Sequence, residues 1–508
     1  MYYRITISVN FCIYSSAYLG VTPYVIEVEV DISAGLPTFS IVGLGDTAIL
    51  ESRYRVKTAL KNSGYLLSPK RIVINLSPAG LRKEGAQYDF PLAVTLMYLS
   101  GYLKDPYQKL KKYLWLGELS LNGKLKSVKG LINTAILAKE KGFQGIIIPK
   151  DNLEEASLIE GIQVIALSSL KEVQEFLLDE EERDDRLSIS EEEFIFPYDF
   201  SEVKGQSHAK RALEISAAGG HNILMIGSPG SGKSMLAKRL PGILPPMSLE
   251  ERIEATKLYS ISGELDGKKL SLQERPFRAP HHTTTEIAMI GGGKKMMPGE
   301  ISLASGGILL LDEMNEFKKS VLEALRQPLE DRVVRITRAL YRLEYQADTI
   351  LVGTSNPCPC GYAFENNCRC TASEKYHYQK KLSGPILDRI DLYVEMRRLT
   401  EEELLADREE ESSKEIKKRV ILARKIQEER YGNTFHTNAK MTQEERKQYC
   451  SLSEEDKEFF KVAFAKLEIS ARGFTKLLSV ARTIADLAGR EKIEREDLLE
   501  ALSYRRKF

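Results

Sequence analysis

At 508 residues the chain is too long for one hydrophobic core, and its length argues for about three domains. Apolar residues at 43% and charged residues at 29% form an ordinary globular balance, which excludes a wholly disordered chain. A formal net charge of +1 excludes a chain-wide electrostatic preference for nucleic acid or membrane, so any such binding has to come from local patches.

The first mildly apolar run, 5–21, is broken by Asn10, Tyr14, Ser15 and Ser16 and does not read as a membrane span. It leads straight into alternating residues 25–30, which read as a strand rather than as the end of a signal peptide. The expected location is the cytoplasm. Residues 1–178 mix β-rich runs (24–32, 71–76, 145–149) with helical ones such as 134–141, the pattern of an α+β domain. Residues 179–199 are acidic and poor in apolar groups, which predicts a linker. From 200 to 398 buried strands alternate with helices, the arrangement of a parallel sheet in an α/β core. Residues 399–508 are highly charged and almost continuously helical in pattern, and are expected to form a helical lid.

Within the α/β stretch, the apolar run 223–226 enters Gly227-Ser228-Pro229-Gly230-Ser231-Gly232-Lys233-Ser234 and then a helical segment. Strand, loop and helix in that order suit a phosphate-binding loop, because glycines let backbone N–H groups approach an anion at a positively polarised helix start. Lys233 is expected on the β- and γ-phosphates of ATP, and Ser234 on Mg2+. The buried run 308–311 ends in Asp312-Glu313, where Asp312 would hold Mg2+ and Glu313 would polarise the attacking water. A third apolar run, 351–355, ends at Asn356, placed to orient water beside the γ-phosphate or, without that context, simply to cap a turn.

This order of phosphate loop, acidic strand and polar-tipped strand resembles the AAA+ family, in which the last element is called sensor 1. The resemblance implies two further residues. Arg389, in Leu387-Asp388-Arg389-Ile390-Asp391, looks like the arginine finger of the magnesium-chelatase-like branch, which acts on the ATP of a neighbouring subunit and so implies a ring. Arg472, in Ser470-Ala471-Arg472-Gly473, resembles sensor 2. Taken alone, either arginine reads equally well as a surface ion pair.

Arg278-Ala279-Pro280-His281-His282-Thr283, Pro298-Gly299-Glu300-Ile301-Ser302-Leu303-Ala304 and Ala481-Arg482-Thr483-Ile484-Ala485-Asp486-Leu487 narrow the resemblance to the ComM/YifB family of magnesium-chelatase-like ATPases. Gly35-Leu36-Pro37, Ile41-Val42-Gly43-Leu44 and Glu51-Ser52-Arg53 fit the same family, with Gly45 standing where proline is expected. The family resemblance implies a hexameric helicase driving branch migration of DNA in natural transformation. The residues themselves offer only Gly291 to Lys295 as a DNA contact, either a pore-facing loop or a surface hairpin. The adjacent His281 and His282 are awkwardly placed for one metal and read as structural.

Gly117-Glu118-Leu119-Ser120-Leu121-Asn122-Gly123-Lys124-Leu125, Gly130-Leu131 and Lys83-Glu84-Gly85 resemble the Lon protease domain. The positions aligned with that family's Ser–Lys pair carry Gln87 and Ile132, neither a nucleophile nor a base, so a non-proteolytic relative is expected, with Ser77 the nearby hydroxyl to test. Cys358, Cys360, Cys368 and Cys370 form two C-x-C pairs that would enclose one tetrahedral Zn2+, with redox pairs or unliganded thiols as alternatives and His377 as a substitute ligand.

Overall fold

The computed structural model describes residues 9–188, 196–265, 274–338, 341–365, 367–382, 384–405, 409–458 and 470–505. The chain divides into two compact units, Met1–Glu192 with Arg252–Leu272, and Glu193–Glu251 with Gln273–Phe508. The expected lid, 399–508, falls within the second unit. The helix Leu249–Ser262 belongs to the first unit from Arg252 onward.

In the first unit, the segment judged too polar for a membrane forms the strand Val9–Leu19, paired antiparallel with Thr22–Ser33 through a two-residue turn opened by Gly20 at φ 59°. Alternation along the second strand buries Ile26, Val28 and Val30. These two strands sit inside a seven-stranded mixed sheet that runs, edge to edge, Thr38–Val42, Arg71–Ser77, Thr22–Ser33, Val9–Leu19, Tyr113–Trp115, Gly145–Pro149 and Gln163–Leu167. The helix expected at 134–141 begins earlier, Leu131–Glu140, after Gly130 in the left-handed region at φ 72°.

The second unit is built on a five-stranded parallel sheet in the order Phe277–Arg278, Ile308–Leu311, Ile350–Ser355, Ile223–Gly227, Leu392–Met396. Ile308 to Leu311 and Ile350 to Ser355 are all buried, so these strands read as continuous apolar runs, as expected for a parallel sheet covered on both faces. The strand that ends at Asn356 lies between the strand that feeds the phosphate loop and the strand that ends at Asp312. Residues carried by distant parts of the chain are therefore brought to one edge, at the carboxyl ends of the three central strands. The helices Ser413–Tyr431 and Ala471–Leu487 pack onto the core that covers this sheet, through Ile416, Val420, Leu477, Val480, Ala481 and Ile484. Among the described residues no helix is long and apolar enough to cross a membrane.

Candidate active site

The strand Ile223–Gly227 runs through residues 228–232 into the helix Lys233–Ala237. Gly230 (φ 80°) and Gly232 (φ 90°) take left-handed conformations, and a Cβ added at Gly232 would meet nothing within 4 Å, so it is the backbone conformation and not crowding that asks for glycine there. Lys233 curls over this loop: its Nζ donates to the carbonyls of Gly227 (2.7 Å) and Ser228 (3.0 Å) and to Asn356 Oδ1 (3.3 Å). Burial pushes the Lys233 ammonium pKa down, opposed by Asp312 and Glu313. Ser231 places a buried hydroxyl in the loop with no hydrogen-bond partner. A desolvated ammonium and an orphaned hydroxyl lining a turn of backbone at a helix start fit a triphosphate.

Across from the loop, Ser234 Oγ donates to Asp312 Oδ1 (2.7 Å), and Thr354 Oγ1 donates to the same oxygen (2.5 Å). Thr354 Oγ1 also accepts from the backbone N–H of Glu313 (3.0 Å), so one hydroxyl fixes both acidic residues. Glu313 holds φ 52° and keeps its side chain exposed at the strand tip. Lys233 with Asn356 forms one hydrogen-bonded set and Ser234, Asp312, Thr354 and Glu313 a second, and the attraction of the Lys233 ammonium for Asp312 and Glu313 links the two into one network. Paired oxygens from Ser234 and Asp312 match a hard cation such as Mg2+, which prefers oxygen ligands and keeps part of its water shell.

The two arginines are brought to each other rather than to this network. Arg389 is ion-paired with Glu330 and donates to the Pro385 carbonyl (2.9 Å), and Arg472 lies 3.8 Å from the same Glu330 carboxylate. Arg472 occupies the first turn of the helix Ala471–Leu487, capped by Ser470, and is largely exposed. The backbone that carries Arg389 is gripped by Asn222, which donates from Nδ2 to the Arg389 carbonyl (2.9 Å) and accepts from Leu351 N–H (2.8 Å). Asp391 accepts from Asn222 N–H (3.0 Å) and pairs with Lys476 (2.7 Å), which with His221 holds its carboxyl well below the usual range.

The four cysteines converge. Their Sγ atoms all lie within 4.8 Å of one another, with Cys358 to Cys360 at 3.4 Å, Cys360 to Cys368 at 3.7 Å and Cys358 to Cys368 at 3.9 Å. A tetrahedral ion with metal–sulfur bonds of about 2.3 Å requires edges of about 3.8 Å, so the set suits a metal. Backbone N–H groups of Tyr362 and Arg369 hold the Cys360 thiol down to about 6, while burial and the neighbouring thiols push Cys358 and Cys370 up. His377 sits exposed on the helix Ala372–Lys380 and is not in the group. Gly361 turns the knuckle at φ 85° and packs so closely that a Cβ there would lie 2.6 Å from Pro229 Cδ, which ties the cluster to the phosphate loop.

Several motif residues are tied into the fold by contacts within the chain. Arg278 pairs with Glu300 (2.7 Å), His281 packs on His282 (centroids 4.0 Å), and buried Arg482 bonds Asp486 (3.0 Å), which also takes Arg430 (2.6 Å). In the first unit Gln87 donates to the Ser16 carbonyl (3.0 Å), Ser16 meets Thr134 (2.6 Å), and Ile132 is wholly buried. The residues that sequence reasoning missed are Thr354, whose only signal is a hydroxyl in an apolar strand, and Glu330, Asn222 and Lys476, which carry none.

Comparison with known proteins agrees over nearly the whole chain. Family models described as magnesium chelatase, subunit ChlI, match residues 199–404, as subunit ChlI of Mg-chelatase residues 28–152, and as the ChlI C-terminal part residues 410–505. The YifB protein of Escherichia coli is 41% identical, covering 97% of this chain and 96% of its own, and the competence protein ComM of Haemophilus influenzae is 40% identical, covering 97% of each. A magnesium-chelatase 38 kDa subunit of Cereibacter sphaeroides is 26% identical over 32% of this chain and 53% of its own. With a phosphate loop, an acidic strand tip and a polar-tipped strand joined in one network, and with relatives this similar end to end, the chain belongs to the ComM/YifB family of magnesium-chelatase-like AAA+ proteins.

Proposed function

We propose that this protein is an ATPase that completes its site in a ring and spends the cycle on moving DNA. The observation that carries the ATPase reading is the network joining Lys233, Ser234, Asp312 and Asn356, with Glu313 fixed beside it through Thr354. In this reading Lys233 leaves its carbonyl partners for the β- and γ-phosphates, and the N–H groups of 228–234 take the remaining phosphate oxygens. Ser234 and Asp312 hold Mg2+, which neutralises charge as the γ-phosphoryl leaves. Glu313 accepts the proton of the attacking water, and Asn356, with its oxygen on Lys233, turns its NH2 group to that water.

Arg389 and Arg472 act from outside this network, Arg389 on the neighbouring subunit's nucleotide and Arg472 from the lid, and Glu330 parks both until a ring forms. A hexamer is the expected ring. The thiol cluster takes Zn2+ and braces the phosphate loop through the Gly361–Pro229 contact. Residues 1–178 serve as a Lon-like, non-proteolytic scaffold whose Gln87 and Ile132 can neither attack nor take a proton. DNA is met by the hairpin that pairs Gly291–Gly292 with Met297–Pro298, where Lys294 and Lys295 are exposed at the tip.

The test is steady-state ATP hydrolysis by the full chain with and without single-stranded or branched DNA. A DNA motor is stimulated by one of them, and Lys294→Ala with Lys295→Ala removes the stimulation while leaving the basal rate. A motor that inserts metal into a porphyrin hydrolyses ATP with no response to DNA, and that result would replace this reading.

A further inference from the structure

At the opposite end of the parallel sheet from the phosphate loop, the second unit carries a half-open cavity of about 40 Å³. It sits where the strands Ile308–Leu311 and Ile350–Ser355 begin, so strands of four to six residues separate it from the nucleotide by roughly 13–20 Å. Its walls carry four cations and two carboxylates. Arg275 is spent on Glu251, with two bonds of 2.8 Å, and on the Pro245 and Gly306 carbonyls. Asp348 is shared by Lys440 and by Arg332 (3.3 Å).

That leaves Arg424, on the helix Ser413–Tyr431, without a carboxylate of its own among the described residues. Its guanidinium donates only to the Ala217 carbonyl, at 3.1 and 2.9 Å, and burial together with Arg275 pushes it down to about 10. Beside it, Thr437 is 2% exposed and its hydroxyl has no hydrogen-bond partner. A buried hydroxyl without a partner is uncommon, and Arg424 feels Glu251 and Asp348 only at longer range, each of them already bonded to another cation. Both lacks are met by the same thing, an oxygen-rich anion in the cavity.

We propose that this cavity binds a phosphate-sized oxyanion, clasped by Arg424, Arg332 and the Thr437 hydroxyl between the lid and the base of the sheet. The space admits about three water-sized groups, which matches three oxygens of a tetrahedral anion. The surplus of cations over carboxylates selects for charge. The guanidinium's planar fork selects for oxygens in pairs. Because Arg424 and Thr437 come from the lid and Arg332 and Arg275 from beside the sheet, an anion here locks the two together. The site stands independently of the nucleotide reading.

Isothermal titration of the full chain with inorganic phosphate, at fixed ionic strength and in a Lys233→Ala background that removes the phosphate loop's own grip, tests it. One saturable site per chain is expected, with Arg424→Met weakening it by roughly tenfold or more. Thr437→Val keeps shape and every charge, and it is expected to weaken binding several-fold; it decides the matter should Arg424→Met fail to fold. Titration with AMP distinguishes the source: affinity equal to phosphate assigns the site to a terminal phosphoryl group, and weaker binding assigns it to the free ion. Absence of saturable binding, or an affinity unchanged by both substitutions, overturns the proposal.

Discussion

Glu313 holds a left-handed backbone at φ 52°, costly for any residue but glycine, and its N–H is fixed by Thr354. The Glu313 side chain is exposed beside the network. Thr354→Val leaves the Glu313 N–H without its partner and Asp312 Oδ1 held by Ser234 alone, and is expected to lower kcat by roughly tenfold with ATP affinity retained, read by steady-state kinetics and nucleotide titration. Glu155 gives a second prediction. It is buried in the first unit, accepts from Ile132 N–H (2.9 Å), Asn152 (3.3 Å) and Ser260 Oγ, and burial raises its pKa from 4.5 to about 7. The folded state therefore favours the protonated acid, so this stability is full below about 4.5 and is lost as pH rises through about 7. The stability of the first unit against denaturant should fall across that window by on the order of 3 kcal/mol, and Glu155→Gln should remove the dependence.

At the scale of elements, the phosphate loop, the acidic strand tip and the sensor strand were legible because each is written contiguously: an apolar run of four to six residues ending in its polar group. The thiol cluster was legible for the same reason. What was not legible lies across long separations. Thr354 and Asp312 are 42 residues apart, Asn222 and Asp391 169, and no local pattern announces either pair. Motifs read as family marks supply ion pairs that hold elements together, Arg278 with Glu300 and Asp486 with Arg430, which the sequence does not distinguish from catalytic groups. The cluster's contact with Pro229 makes a prediction: Cys358→Ser with Cys368→Ser should lose one equivalent of zinc by elemental analysis and raise the KM for ATP several-fold. Retained metal, or loss of metal with unchanged KM, contradicts the bracing role.

On the scale of the whole molecule, the grouping of Arg389 and Arg472 at Glu330, away from the Lys233 network, supports a site shared between subunits. Mixing Lys233→Ala chains with Arg389→Ala chains, each inactive alone, should restore part of the ATPase rate, since some interfaces then pair an intact Lys233 with an intact Arg389. No recovery would place Arg389 in its own chain's site or outside catalysis. The surplus of cations at the far end of the sheet adds a second anion site to a molecule whose net charge is only +1. The most direct test of the central claim is ATP binding and turnover measured on one preparation of Glu313→Gln beside the unaltered chain. Binding of Mg·ATP within a few-fold of the unaltered chain and turnover reduced by about a hundredfold or more is the predicted result; failure of the unaltered chain to bind ATP, or turnover untouched by the substitution, would contradict it.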